Sequence, residues 1–161
     1  MAENLQFFIV DLVDSLFSEE ANISNLKNSL KMTITFLSGE CGWINLFKED
    51  FASGLLIESN LPKELKELEL KLHRDCQCKS FFMNNKDCDF FYTRDCKLIN
   101  RGGLCLNNII GHLSIPIRVK NELVATINIG FKEKKDVDRE VIKFISKIFG
   151  SALANYIFMK K

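Results

Sequence analysis

The sequence predicts an α+β fold: a central, mainly antiparallel sheet flanked by N- and C-terminal helices. Three observations carry this. Both ends of the chain show apolar residues at helical spacing, and two pairs of short apolar runs are each joined by a polar turn. The 161 residues, 47% of them hydrophobic, suffice for one core without cross-links. No repeat, low-complexity tract or proline-rich linker interrupts the chain, so residues 1–161 read as a single domain.

Taken in order, residues 3–18 place Leu5, Ile9, Leu12, Val13, Leu16 and Phe17 three and four apart, which gives a helix one apolar face. A second helix follows, capped by Asn22 or Ser24 and lined by Ile23, Leu26, Leu30, Ile34 and Leu37 until Gly39 ends it. The runs CGWINLFK (41–48) and 54–59, separated by a turn with Glu49 and Asp50, form a hairpin. Asn60 and Pro62 open a short charged helix to about Lys71, proline being tolerated in a first turn where its missing donor is not needed. Around the pairs Phe81, Phe82 and Phe90, Phe91 the chain is broken by NNKD and RGG, which predicts short elements joined by loops. The runs HLSIPIRV and LVATINIGF flank Lys120, Asn121 and Glu122 and predict an antiparallel hairpin at the centre of the sheet. A helix from about Asp136, capped by that aspartate, closes the chain with Val141, Ile142, Ile145, Ile148, Phe149 and Leu153 on one face.

The charge balance removes some functions. Lysine plus arginine total 22 against 21 for aspartate plus glutamate, so no strong field gathers nucleic acid or an anionic membrane. Glu3 and Asp11 interrupt the first residues where a signal peptide needs a basic start and an unbroken apolar stretch, and no run reaches the roughly 18 apolar residues of a membrane span. A cytoplasmic location is expected. In a reducing compartment thiols bind metal or do redox chemistry more often than they form structural disulfides. Five of the six cysteines, Cys76, Cys78, Cys88, Cys96 and Cys105, fall between positions 76 and 105, and Cys41 stands apart on a strand as a packing residue.

The order of elements, together with HLSIPIRVKNELVATINIGF, resembles the GAF family of small-molecule and redox sensors, related to PAS domains. That family closes its sheet with an apolar, proline-containing strand, a short turn and a second strand with glycine near its end. HRDCQC, then Cys96 seventeen residues beyond Cys78, then His112 in GHLSIPIR resemble a cysteine-rich subset found in bacterial sensor proteins. In that subset the cysteines resemble ligands of an iron–sulfur cluster or other metal centre, which implies the same for Cys76, Cys78 and Cys96. Such relatives can carry a further cysteine just before the pair. Here that stretch reads KELKELELKLHRD and has none, which leaves the fourth ligand to Cys105, Cys88 or His112.

The residue chemistry agrees with that implication. Thiolates are soft, charged donors suited to zinc and to iron–sulfur clusters, and a Cys-x-Cys pair closes on itself as a disulfide only with difficulty. Structural zinc sites more often show Cys-x-x-Cys units, of which there are none. Phe81, Phe82, Phe90, Phe91 and Tyr92 would limit water access to a cluster. Iron–sulfur is therefore expected, with zinc as the alternative, and His73 is a weaker ligand candidate than His112. The expected function is non-enzymatic: a redox or gas sensor that homodimerises through its terminal helices and acts on a sensor kinase or other separate partner. Two alternatives compete. One is a free methionine-sulfoxide reductase, against which the cysteine spacing and the lack of paired carboxylates for an amino acid's ammonium group both speak; the other is a zinc-stabilised module that binds a small molecule.

Overall fold

The computed structural model describes residues 2–18, 22–47, 55–66, 77–94 and 109–159. Along these the chain runs α1 (Ala2–Phe17), α2 (Ile23–Phe36), β1 (Cys41–Leu46), β2 (Leu55–Ser59), α3 (Lys63–Lys66), α4 (Gln77–Asn84), β3 (Phe91–Thr93), β4 (Gly111–Val119), β5 (Glu122–Phe131) and α5 (Arg139–Met159). The five strands form one sheet in the order β2-β1-β5-β4-β3 with every neighbouring pair antiparallel. The α+β expectation holds, both hairpins form, and β5 is the central strand.

The helix pair at the start of the chain forms as its spacing predicts, but Val13, Phe17 and Ile23, read as part of its apolar faces, are exposed, and Phe8 is buried instead. Phe8, Leu12 and Leu16 of α1 and Leu26, Leu30 and Ile34 of α2 enter one core, and the Phe8 and Phe36 rings stack with centroids 4.1 Å apart. Asn22 rather than Ser24 caps α2, its side chain accepting from the Asn25 N–H at 2.9 Å. Gly39 is not the residue that turns the helix end. Ser38 takes the left-handed conformation (φ 58°), and the Ser38 and Gly39 N–H groups donate back to the Thr35 and Ile34 carbonyls. Glycine at 39 answers to close packing, since a Cβ there would overlap the Ile129 side chain.

At the other end, Lys120 and Asn121 both have positive φ (51° and 65°), the two-residue turn whose twist matches that of the β4–β5 hairpin. Asp138, not Asp136, caps α5: its Oδ1 accepts from the Glu140 N–H at 2.9 Å, which places the start two residues later than expected. Val137, just before the cap, packs against the core and fixes the angle of entry. Gly150 lets α5 lie close on β4, because a Cβ there would sit 2.9 Å from the Arg118 carbonyl oxygen; Ser146 Oγ adds a 2.7 Å bond to the Pro116 carbonyl.

The main core lies between the helices α1, α2 and α5 and one face of the sheet, which presents Ile44, Leu46, Leu113, Ile115, Ile117, Ile127 and Ile129. A register shift between Ile117 and Arg118 then puts both Val124 and Ala125 into this core and turns Leu123 to the opposite face. Among the described residues, α4 packs on that opposite face. No helix among the described residues is long and apolar enough to cross a membrane.

Candidate functional site

Strand alternation sends Trp43 and Asn45 of β1, Thr126 and Asn128 of β5, and His112 and Ser114 of β4 to the face opposite the main core. All six are buried. A face this polar and this well covered is unusual for an antiparallel sheet, whose second side is normally solvated and charged. Its cover is α4. Phe82 is fully buried against Cys78, Phe81, Phe91 and Leu123, the Phe81 and Phe91 rings stack at 4.4 Å, and the Arg118 guanidinium donates to the Phe82 carbonyl at 2.9 Å.

Under this cover Cys78 Sγ lies 3.2 Å from His112 Nε2, although the residues are 34 positions apart. Burial lowers the His112 pKa to about 4, so the imidazole is neutral near pH 7. The Trp43 ring lies 5.6 Å from it, tilted by 40°. Gly130 stands opposite both Cys41 and His112 in the pairing, and a Cβ there would sit 2.9 Å from Cys41 Sγ and 3.2 Å from Ile109 Cγ2. A sulfur and a neutral imidazole side by side are two donors of the type that zinc and iron–sulfur centres use.

The other nominated ligands divide in two groups. Cys76, Cys96, Cys105 and His73 lie outside the described residues. Cys88 is described: it sits at the edge of the Phe82 cluster, with its thiol donating to the Phe90 carbonyl at 3.0 Å. Among the described residues no three Cys, His, Asp or Glu side chains converge, so the Cys78–His112 pair would be half of a four-ligand set. Cys41 is buried as expected for a strand residue, and burial pushes its thiol up to about 12, which leaves it protonated and a poor ligand.

The residues that sequence reasoning missed are Trp43, Ser114 and Asn128. Trp43 Nε1, Ser114 Oγ, Asn128 Oδ1 and His112 Nδ1 are all buried without a hydrogen-bond partner among the described residues. Each such atom costs about 1–3 kcal/mol, so together they weigh against a net stability of about 5–15 kcal/mol for a whole domain. The signal was present in HLSIPIRV and LVATINIGF. Between the apolar positions stand His112, Ser114, Thr126 and Asn128, polar but without the lysines and glutamates of a solvated face.

No protein-family profile matches the chain, and no curated protein sequence matches it. Solved structures do. The phycoerythrobilin-bound GAF domain of a cyanobacterial phytochrome superposes with a TM-score of 0.71 at 13% identity, covering 100% of both chains. The GAF domain of a protein assigned as a sensor histidine kinase from Pseudomonas syringae pv. tomato gives 0.66 at 12% identity, covering 99% of this chain and 90% of the other. That of a two-component sensor histidine kinase from Bacillus halodurans gives 0.56 at 16%, covering 87% and 99%. The fold is a GAF fold, and at these identities the likeness speaks for architecture alone.

Proposed function

We propose that the chain is a sensory domain whose responsive centre is an iron–sulfur cluster or other metal held by Cys76, Cys78 and Cys96, with the fourth position taken by His112, Cys105 or Cys88. The observation that carries this reading is the buried Cys78–His112 pair, which joins two of the nominated ligands from distant parts of the chain. A bound cluster would supply sulfur–metal bonds sensitive to oxidants or small gases. The chain's own residues supply the rest. Neutral His112 has an unprotonated nitrogen to offer, Phe82 and Phe91 keep water from Cys78, and Cys78 ties α4 to β4. Because Ser146 and Gly150 hold α5 against the same strand, a shift at His112 has a direct route to the C-terminal helix. The sensory role of similar folds supports this reading, as does their occurrence in sensor histidine kinases, which suggests a kinase or other signalling protein as the partner. No catalytic step is assigned.

Anaerobically purified protein should be brown and contain iron and sulfide. Cys76→Ala, Cys78→Ala and Cys96→Ala should each lose at least 90% of the metal, whereas Cys41→Ala keeps it. Colourless protein with one zinc would shift the reading to a zinc-stabilised module, and metal-free wild-type protein would end it.

A homodimer through the terminal helices belongs to the same proposal. Phe7, Val10 and Phe17 of α1 are 68%, 56% and 42% exposed and, together with Val13, form a stripe at helical spacing. Phe144 of α5 is also exposed, and a groove of about 700 Å³ beside the stripe, lined in part by Phe7, Phe8 and Phe36, could seat a side chain of a second copy. Sedimentation velocity should show a dimer for the wild type and a monomer for Phe7→Glu/Val10→Glu; a wild type that is monomeric at 100 µM or so (about 8 kcal/mol is needed for a micromolar dimer) would remove this part.

A further inference from the structure

A chain with 22 basic and 21 acidic residues has no strong overall field, yet its charges are not evenly matched. Lys66, Lys132, Lys135 and Lys143 each pair with a carboxylate. Lys79, Lys86 and Arg118 pair with none among the described residues. All three line one hollow of about 330 Å³ between α4 and the β4–β5 hairpin, where Glu122 is the one acid among the described lining residues.

Two of these cations are held in place. The Lys79 ammonium lies 4.8 Å from the centre of the Phe47 ring, and Phe47 is itself tied to β5 by its N–H donating to the Val124 carbonyl. Arg118 is half-buried, and its Nη2 donates to the Phe82 carbonyl at 2.9 Å, which fixes the guanidinium without neutralising it. An anionic partner therefore meets charges already positioned, and less side-chain freedom is lost than on binding free surface lysines. The rest of the hollow is apolar: Phe47, Leu123 and Met83, which is 59% exposed.

Shape chooses among anions. A nucleic-acid strand or a membrane is gathered by charges spread along a track or over a plane, whereas these three converge on a concavity of side-chain size. An isolated phosphate would match the charges and leave Met83, Phe47 and Leu123 in water. A protein segment uses both. We propose that this hollow docks an acidic segment of a partner protein, its carboxylates on Lys79, Lys86 and Arg118 and one bulky apolar side chain against Met83 and Leu123. The arrangement is that of a small interface, with an apolar centre that supplies affinity and a charged rim that supplies orientation and speed of encounter. The inference goes beyond the metal reading and does not rest on it: none of these residues is a nominated ligand, and docking and metal content are measured separately, so each can fail alone.

The probe is a fluorescein-labelled peptide of glutamates around a central leucine, added to the full chain and followed by anisotropy. The expected result is saturable binding that disappears in about 1 M salt, where charges are screened beyond about 3 Å. Peptides with glutamine in place of glutamate, or alanine in place of leucine, should each bind about tenfold more weakly or worse. Lys79→Glu/Lys86→Glu should abolish binding while its circular dichroism matches the wild type. Lys27→Glu/Lys147→Glu makes the same change in net charge at exposed positions of α2 and α5, across the sheet, and should leave binding unchanged. Met83→Ser, exposed and neutral, should weaken binding about threefold without touching a charge. No saturable binding, equal loss in the two double variants, or tighter binding of a single-stranded oligonucleotide or of phosphatidylserine vesicles than of the peptide would overturn the proposal. So would self-association that Lys79→Glu/Lys86→Glu alone removes, which would make a second copy the occupant.

Discussion

Taking the metal-free protein from pH 7 to pH 4 should cost about 3 kcal/mol through His112 alone, since each unit of pKa difference is worth about 1.4 kcal/mol. The sign follows from burial. In the unfolded chain the imidazole takes its ordinary value of 6.5, whereas burial lowers it to about 4 in the folded protein. Below pH 6.5 the unfolded state therefore binds more protons and is favoured; the contribution is fully present above pH 6.5 and is lost as pH falls towards 4. The groups packed on the ring are the Cys78 thiol and the Trp43 indole, and burial is the whole cause of the shift. Urea unfolding across this range should show the His112→Gln variant falling less steeply than the wild type by about the amount stated. Parallel curves would mean that His112 is not held neutral under α4. Metal bound at His112 would deepen the acid sensitivity, because protons compete for the same nitrogen.

His112 also shows where the sequence was legible and where it was not. The helices α1, α2 and α5 were readable because Leu12, Leu30 and Phe149 recur on faces of period 3.6, and the β4–β5 hairpin because Ile115 and Ile127 alternate with smaller polar residues around a two-residue turn. Local chemistry was harder to place within a residue or two. Asp136 and Asp138 are equally good caps on paper, and the choice fell to Asp138 because Val137 then reaches the core. Ser38 in a left-handed conformation runs against propensity and is tolerated because Gly39 must be the residue pressed on Ile129. Cysteine clustering nominated Cys78 and the family resemblance nominated His112; their side chains lie 3.2 Å apart. The Trp43–Asn128–Ser114 row is a product of strand order: β1 lies beside β5, and β5 beside β4, through a crossover that no local pattern encodes. The polar residues in those strands lack the lysines and glutamates of a solvated face, but no local pattern says that α4 packs on them.

That cover sets up a contrast between two equally buried phenylalanines. Phe149→Ala should cost about 3–5 kcal/mol, because its ring is enclosed by the main core and the cavity cannot collapse. Against a total of about 5–15 kcal/mol, this brings the protein near its unfolding threshold, readable as a loss of thermal midpoint of roughly ten degrees or more. Phe82 is just as buried, yet its neighbours form a separate cluster around the eight-residue α4. Truncating it can be relieved by α4 lifting from the sheet, so the global cost is capped by the cost of that local opening. Phe82→Ala should therefore lose less than half as much stability as Phe149→Ala, while emission from Trp43 shifts to the red as water reaches the face beneath. A Phe82→Ala variant that is as unstable as Phe149→Ala, with Trp43 still dry in its folded state, would make α4 an integral layer of the core. The centre proposed at Cys78 would then have no movable element through which to signal.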